Sequence, residues 1–273
     1  MQKHALLILS HSNIDHVYEY AKVFPQYNFY IHQDIKFPIN LPIPESINNI
    51  FIIPKENSVS VSWGGFSMIQ ATNSLFEYAF QNKDNIFFHL ISGNDLILQP
   101  LERLSFDENS IYMECIESYK HRYRVRFNTP HADTSYQRSI IGKSITLGFK
   151  ILDRIIPTKE KCLFGSQWFS IHRKHLEIIL KSIDGRFNDS FQKKLCPDEH
   201  YYQYLVYKNN LQAHLSKTGN RRFIIFDKDY NNGNNPIFLD IDDINNIDRN
   251  KYWFARKVAP ITINNYLKLV GFK

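Results

Sequence analysis

Hydrophobic residues in the first third of the chain fall into short solid runs that alternate with stretches of helical spacing. Ala5 to Ser10 (ALLILS) is a continuous apolar run closed by Ser-His-Ser-Asn, the pattern of a buried strand ended by turn and cap residues. Asp15 to Phe24 places Val17, Ala21 and Phe24 at helical intervals. Asn28 to His32 and Ile50 to Ile53 read as further short strands, broken at Gln33-Asp34 and at Pro54. Phe66 to Phe80 carries apolar residues at 66, 69, 76, 79 and 80, one face of an amphipathic helix. Ile86 to Ile91 is a buried-strand pattern that ends abruptly at Ser92-Gly93-Asn94-Asp95. Strands joined by helical crossovers predict an α/β fold with a central, mostly parallel sheet flanked by helices.

From about residue 105 to 160 the pattern loses its period, and aromatic and basic residues interleave. Order returns at Gly165 to Ile171, a predicted strand, followed by helices over Arg173 to Ile183 and Asp198 to Tyr207. Pro197 precedes the second, and Asp198 and Glu199 fall in its predicted first turn. From Asp227 the chain is rich in Asn, Asp and Gly and reads as loop until the cluster Tyr252 to Lys257 (YWFARK). No repeat or linker divides it. The expectation is one domain over 1–273, with a first half to about 104, a second over about 105–257 and a tail over 258–273.

With 43% hydrophobic and 22% charged residues, the composition of the 273 residues is ordinary for a globular protein. No apolar run reaches the roughly 18 residues of a membrane span. The N-terminus reads as a strand and not as a signal peptide. The net charge of +6 is diffuse, its densest patch being His121-Arg122-Tyr123-Arg124-Val125-Arg126. That alternation fits an exposed strand face or a site for an anionic ligand. No nucleic-acid-binding module is recognisable, so nucleic acid is not an expected partner. Cys115, Cys162 and Cys196 are odd in number and far apart. They argue against a disulfide framework or a zinc site and for a reducing, cytoplasmic compartment.

No GxGxxG, Walker loop, HExxH or nucleophile elbow occurs. Two DxD strings, Asp227-Lys228-Asp229 and Asp240-Ile241-Asp242, have the form of a metal–diphosphate motif, but both lie in the late Asn/Asp-rich stretch and read as solvated loop acids. Asp95 stands just beyond the carboxyl end of a predicted buried strand, where open α/β sheets bind ligands; it either fixes a sugar or ribose hydroxyl or caps the turn. Gly64 and Gly65 either let backbone approach a ligand or simply end the segment before the helix at Phe66. Asp198 and Glu199 either complement a helix dipole or supply a general base.

Seven short segments occur in series: ALLILSH (5–11), YIHQDIK (30–36), VSWGGFSM (61–68), HLISGNDL (89–96), GSQWF (165–169), PDEHY (197–201) and FARK (254–257). Together they resemble the core-2/I-branching β-1,6-N-acetylglucosaminyltransferases, glycosyltransferase family 14, which also holds the protein xylosyltransferases. The resemblance spans about residues 5 to 257. It implies a GT-A-type fold and inverting transfer from a UDP-sugar to an acceptor hydroxyl, with no cofactor and no DxD-bound metal. Glu199 carries over as the catalytic base, and Lys257 as a cation offsetting diphosphate charge. Arg256 adjoins it, and Arg222 is the candidate for a second diphosphate-binding arginine. Asp34 is implied at the uracil or ribose, with His11, Trp63, Gly64, Gly65, Ser92 and Asp95 completing the nucleotide-sugar set. Trp168, with Gln167 and Asp198, is implied on the acceptor side; Trp63 and Trp168 also admit a plain core reading.

The animal members carry an anchor, a stem and many cysteines, whereas this chain resembles a trimmed bacterial version. The setting this implies is cytoplasmic synthesis of a surface polysaccharide, capsule or lipopolysaccharide, on a glycan or lipid-linked acceptor. Weak peripheral contact with an anionic membrane is expected, through the tail from Tyr266 to Lys273 unless that tail packs on the domain. Two rival readings are a metal-dependent DxD transferase and a catalytically silent glycan-binding module.

Overall fold

A computed structural model describes residues 3–10, 14–37, 43–226 and 235–270. The chain begins with β1 (Lys3–Ser10), α1 (Asp15–Val23), β2 (Asn28–Gln33) and β3 (Ile50–Ile52). It continues with α2 (Phe66–Gln81), β4 (Asn85–Ser92) and β5 (Asp95–Ile97). The middle holds β6 (Ile116–Ser118), α3 (Tyr123–Arg126), α4 (Ile140–Ile155) and β7 (Cys162–Phe164). Then come β8 (Ser170–His172), α5 (Arg173–Ser182), α6 (Gly185–Phe191) and α7 (Tyr201–Lys208). The last elements are β9 (Arg222–Ile224), α8 (Ile241–Asn245), β10 (Phe254–Arg256) and α9 (Pro260–Val270).

The central sheet runs β3-β2-β1-β4-β8, with the first four strands parallel and β8 antiparallel to β4. Solid apolar runs form its centre because β1 is covered on both faces. Its side chains alternate as the pleat requires. Leu6 and Ile8 join α1, α9, Trp253 and Phe254 on one face, while Ala5 and Leu7 join α2, α5 and α7 on the other. The chain steps outward from β1 to β3 and then returns to β4, so the strand order reverses between β1 and β4. The expected parallel α/β architecture is present.

Four local expectations change. The middle region is ordered: α4 is a 16-residue helix, its N-terminus capped by the Ser139 hydroxyl, which accepts from the Gly142 N–H. The basic stretch forms the single helical turn α3 and no strand, so Arg122 and Arg126 share a side that Arg124 does not. Only the end of Gly165 to Ile171 pairs as a strand, because the Gly165 N–H bonds the Glu199 carbonyl and the Ser166 N–H the Glu114 carboxylate in place of a neighbouring strand. The predicted helix from Asp198 is divided into a 3₁₀ turn, Pro197–Glu199, and α7. Both carboxylates therefore precede α7 instead of occupying its first turn.

The tail packs on the domain as far as it is described, to Val270: Tyr266 and Leu267 on α9 are buried against the α1 side of the sheet, and Gly271 to Lys273 lie outside the described residues.

Candidate active site

The parallel strands β1 to β4 all end along one edge of the sheet. The crevice beside the reversal point, between the ends of β1 and β4, is where such sheets bind ligands. Asp34 follows β2 there and is buried, accepting the Lys36 N–H (2.9 Å) and the Val61 N–H (3.3 Å). The Lys36 ammonium lies 3.6 Å from the same carboxylate. Asp34 thus ties the end of β2 to the segment that leads into Trp63-Gly64-Gly65.

Gly64 adopts φ +63°, the left-handed region that costs a side-chain-bearing residue about 1–2 kcal/mol. Its carbonyl accepts the Cys196 N–H (3.0 Å) and the Gln137 side-chain amide (2.9 Å). At Gly65 a Cβ would collide with the Asp133 carboxylate, which accepts the N–H and hydroxyl of Ser67 in the first turn of α2. Gly64 therefore lets the loop press against Cys196, just ahead of Pro197, Asp198 and Glu199, while Gly65 lets it press against Asp133. Cys196, itself left-handed at φ 47°, turns the chain into that 3₁₀ turn. Trp63 stays 56% exposed at the rim, with the Arg138 guanidinium 4.8 Å from its ring.

The Glu199 side chain is about one-third exposed and hydrogen-bonded through Oε2 to Arg124 of α3. Oε1 has no protein partner among the described hydrogen bonds. Arg124 is held by its neighbours on the turn: Arg122 and Arg126 both clamp the buried Asp153 of α4, at 2.9 and 3.0 Å. Burial first, then the Glu199 charge, push the Asp198 carboxyl up to about 7. One of its oxygens is buried without a hydrogen bond. Sequence reasoning missed Arg124 as a partner of Glu199; its alternating basic segment was the available signal.

A second cluster forms at the end of β4. Register places Asp95 directly opposite Arg256 in the β5–β10 pair, and their side chains meet at 2.8 Å. Asp95 also accepts the N–H (2.9 Å) and hydroxyl (2.8 Å) of Ser92, whose oxygen accepts from Arg256. The Arg256 guanidinium lies 4.5 Å from the Trp168 ring centre. Gly165 to Phe169 connects the two clusters: the Gly165 N–H donates to the Glu199 carbonyl (3.0 Å), and Trp168 stacks under Arg256 three residues later. Trp168 is mostly buried, and neighbouring Gln167 keeps a buried amide nitrogen without a partner.

Lys257 is half-buried, its ammonium 4.5 Å from the Phe238 ring centre. Burial and then the Arg256 charge lower its pKa. No acidic partner faces it among the described ion pairs. Arg222 is different. Its guanidinium is buried and donates to the carbonyls of Asn220, Leu90 (3.2 Å) and Phe169 (2.8 Å), so in this structure it ties β9 to the central sheet and does not face the crevice as a free cation.

Among the described residues no three His, Cys, Asp or Glu side chains converge as metal ligands. Asp240 is spent as the cap of α8, exchanging hydrogen bonds with Asp243. His11 and Asp227-Lys228-Asp229 lie outside the described residues. An open groove of about 600 Å³, lined by Lys159, Lys161, Tyr204, Tyr207 and Lys208 among others, contains none of the candidate residues.

Residues 19–248 match the family model described as Branch, Core-2/I-Branching enzyme. Glycosyltransferase BC10 of Oryza sativa subsp. japonica is 26% identical over 187 residues, a match covering 59% of this chain and 41% of that relative.

Proposed function

This chain belongs to the core-2/I-branching enzyme family, and from that premise we propose that it is an inverting glycosyltransferase, moving a sugar from a UDP-sugar to a glycan hydroxyl without a bound metal. The observation that carries the reading is the Glu199 carboxylate, one oxygen fixed by Arg124 and the other without a partner among the described residues, at a turn fastened to the Gly64 loop.

Inversion is a single displacement. The acceptor oxygen attacks the anomeric carbon as the bond to the diphosphate oxygen breaks, and one base takes the hydroxyl proton. Glu199 Oε1 is suited to that proton, and Arg124 limits the rotamers the carboxylate samples before substrate arrives. The electron pair of the broken bond leaves on UDP, where growing negative charge requires fixed cations. Lys257 supplies one, because no acidic side chain pairs with it among the described residues. Arg256 is already neutralised by Asp95, so its part is to hold Asp95 and Ser92 in place around the donor sugar and Trp168 on the acceptor side. Asp34 and the exposed face of Trp63 are assigned to the uridine end and the rim. Gln167, Trp168 and Asp198 line the acceptor approach, where the unpartnered Gln167 amide offers a hydrogen bond to a sugar hydroxyl.

The donor is a GlcNAc-, xylose- or galactose-type UDP-sugar, and the acceptor a glycan or lipid-linked saccharide of a bacterial surface polysaccharide. All three cysteines are free thiols, which suits cytoplasmic assembly. Thermal shift and UDP release, measured across a UDP-sugar panel with and without EDTA, test this. Stabilisation and UDP release that persist in EDTA are expected. No response to any UDP-sugar would remove the donor class, and activity lost in EDTA but restored by Mn²⁺ would remove the metal-free step.

A further inference from the structure

Helix α4 turns its apolar side away from the protein. Ile140 is 84% exposed, Ile155 68% and Leu147 57%, and Ile141, Ile151 and Leu152 are exposed beside them. At 3.6 residues per turn these six form one stripe about 140° wide along a helix about 24 Å long. The side facing the domain carries Gly142 and Asp153, with Phe149 half-buried against Phe127. Gly142 sits where a Cβ would strike the Tyr136 carbonyl, and Asp153 is clamped by Arg122 and Arg126. Lys143, Lys150 and Arg154 follow one edge of the stripe, and none has an acidic partner among the described ion pairs.

We propose that α4 is a membrane-docking surface that lies in the headgroup layer of an anionic bilayer, its isoleucine stripe in the acyl boundary and its cations on lipid phosphates. A stripe of large apolar residues edged by cations is the pattern of an interfacial helix. No helix among the described residues is long and apolar enough to cross a membrane. Charge selects the occupant. The chain carries a net charge of +6, and a second copy laid on this face would bring the same unpaired cations against their equals, whereas anionic lipid neutralises them. The tail from Tyr266 is not available in the same way, because Tyr266 and Leu267 are buried.

The docking surface connects directly to the candidate site. Asp153 of α4 holds Arg122 and Arg126, and Arg124 between them holds Glu199. One helical turn therefore separates the bilayer contact from the carboxylate assigned as base. Only this clause, which suits a lipid-linked acceptor, rests on the proposed activity; the docking does not.

Flotation with mixed phosphatidylcholine–phosphatidylglycerol vesicles, against pure phosphatidylcholine, tests it. The wild type is expected to float with the mixed vesicles at low salt and to release at high salt. Leu147→Gln/Ile151→Gln/Ile155→Gln should weaken binding by about tenfold or more, and Lys143→Glu/Lys150→Glu/Arg154→Glu by about a hundredfold. A control on α9, Ile261→Gln/Leu269→Gln, should float like the wild type, and the stripe variant should keep the wild-type thermal response to UDP-sugar. Three results would overturn the proposal: no wild-type flotation at low salt, undiminished flotation of the stripe variant, or a wild-type dimer that the stripe variant converts to monomer. Since flotation requires no nucleotide, failure of the transferase reading leaves a distinct signature.

Discussion

Arg124 donates a hydrogen bond to the carboxylate of Glu199 from 75 positions earlier in the chain. The pair joins the basic turn α3 to the 3₁₀ turn that Cys196 and Gly64 hold in place, so the orientation of Glu199 is set by three separate segments. A carboxylate fixed at one oxygen and free at the other is ordered before substrate arrives and still able to accept a proton.

Glu199→Gln keeps the shape and the contact to Arg124 while removing the base. Turnover is expected to fall by about two to four orders of magnitude with little change in UDP-sugar affinity. Steady-state kinetics beside donor titration checks this, and near-normal turnover would return Glu199 to a structural role.

Asp153→Ala leaves the guanidinium groups of Arg122 and Arg126 without their shared partner. Both arginines keep some solvent, so the cost expected is about 2 kcal/mol, a fall in melting temperature of roughly 4–8 °C. Circular dichroism melts measure it. Because α3 also carries Arg124, turnover should fall with stability, whereas Glu117→Ala, at an exposed ion pair with Lys161, should change neither.

Asp198 makes stability depend on pH with a definite sign. Burial and the neighbouring Glu199 hold its folded-state pKa near 7, above the ordinary aspartate value. The folded chain then binds this proton more tightly than the unfolded chain. Stability should fall as pH rises from about 4 to about 7, with the full penalty present above that window. Asp198→Asn removes the titration, so its melting temperature should exceed the wild type's above pH 7 and converge with it near pH 4. Parallel melts across that range decide the matter, and identical pH profiles would show that Asp198 does not titrate there.

Lys257→Ala should weaken UDP-sugar binding and slow transfer together, each by about ten- to a hundredfold, because a charge-assisted contact is worth about 1.5–3 kcal/mol. Mg²⁺ should do little for the wild type and partly restore the variant. Arg222→Lys provides the contrast: with its guanidinium spent on carbonyls of the central sheet, the loss should appear in melting temperature and not in donor affinity.

The sequence by itself determined the strands and helices from β1 to β4, though not the short β5 that follows. An apolar run as short as Ala5 to Leu9, closed at once by turn residues, reads as a strand covered on both faces, and helical spacing in Phe66 to Phe80 leaves only one buried side. The order of short motifs likewise pointed to Glu199, Asp95 and Lys257 before any geometry. Tertiary structure alone decided which charges meet. Periodicity describes a residue's own element, while ion pairing depends on elements brought together from far apart. Hence Arg222, read as a diphosphate ligand, is buried against backbone, and Arg124, read as one cation in a basic patch, faces Glu199. The same holds for α4. Residues 105–160 carry no legible period, so the helix itself and its docking through Gly142 and Asp153, which turns the apolar stripe outward, were decided by tertiary structure.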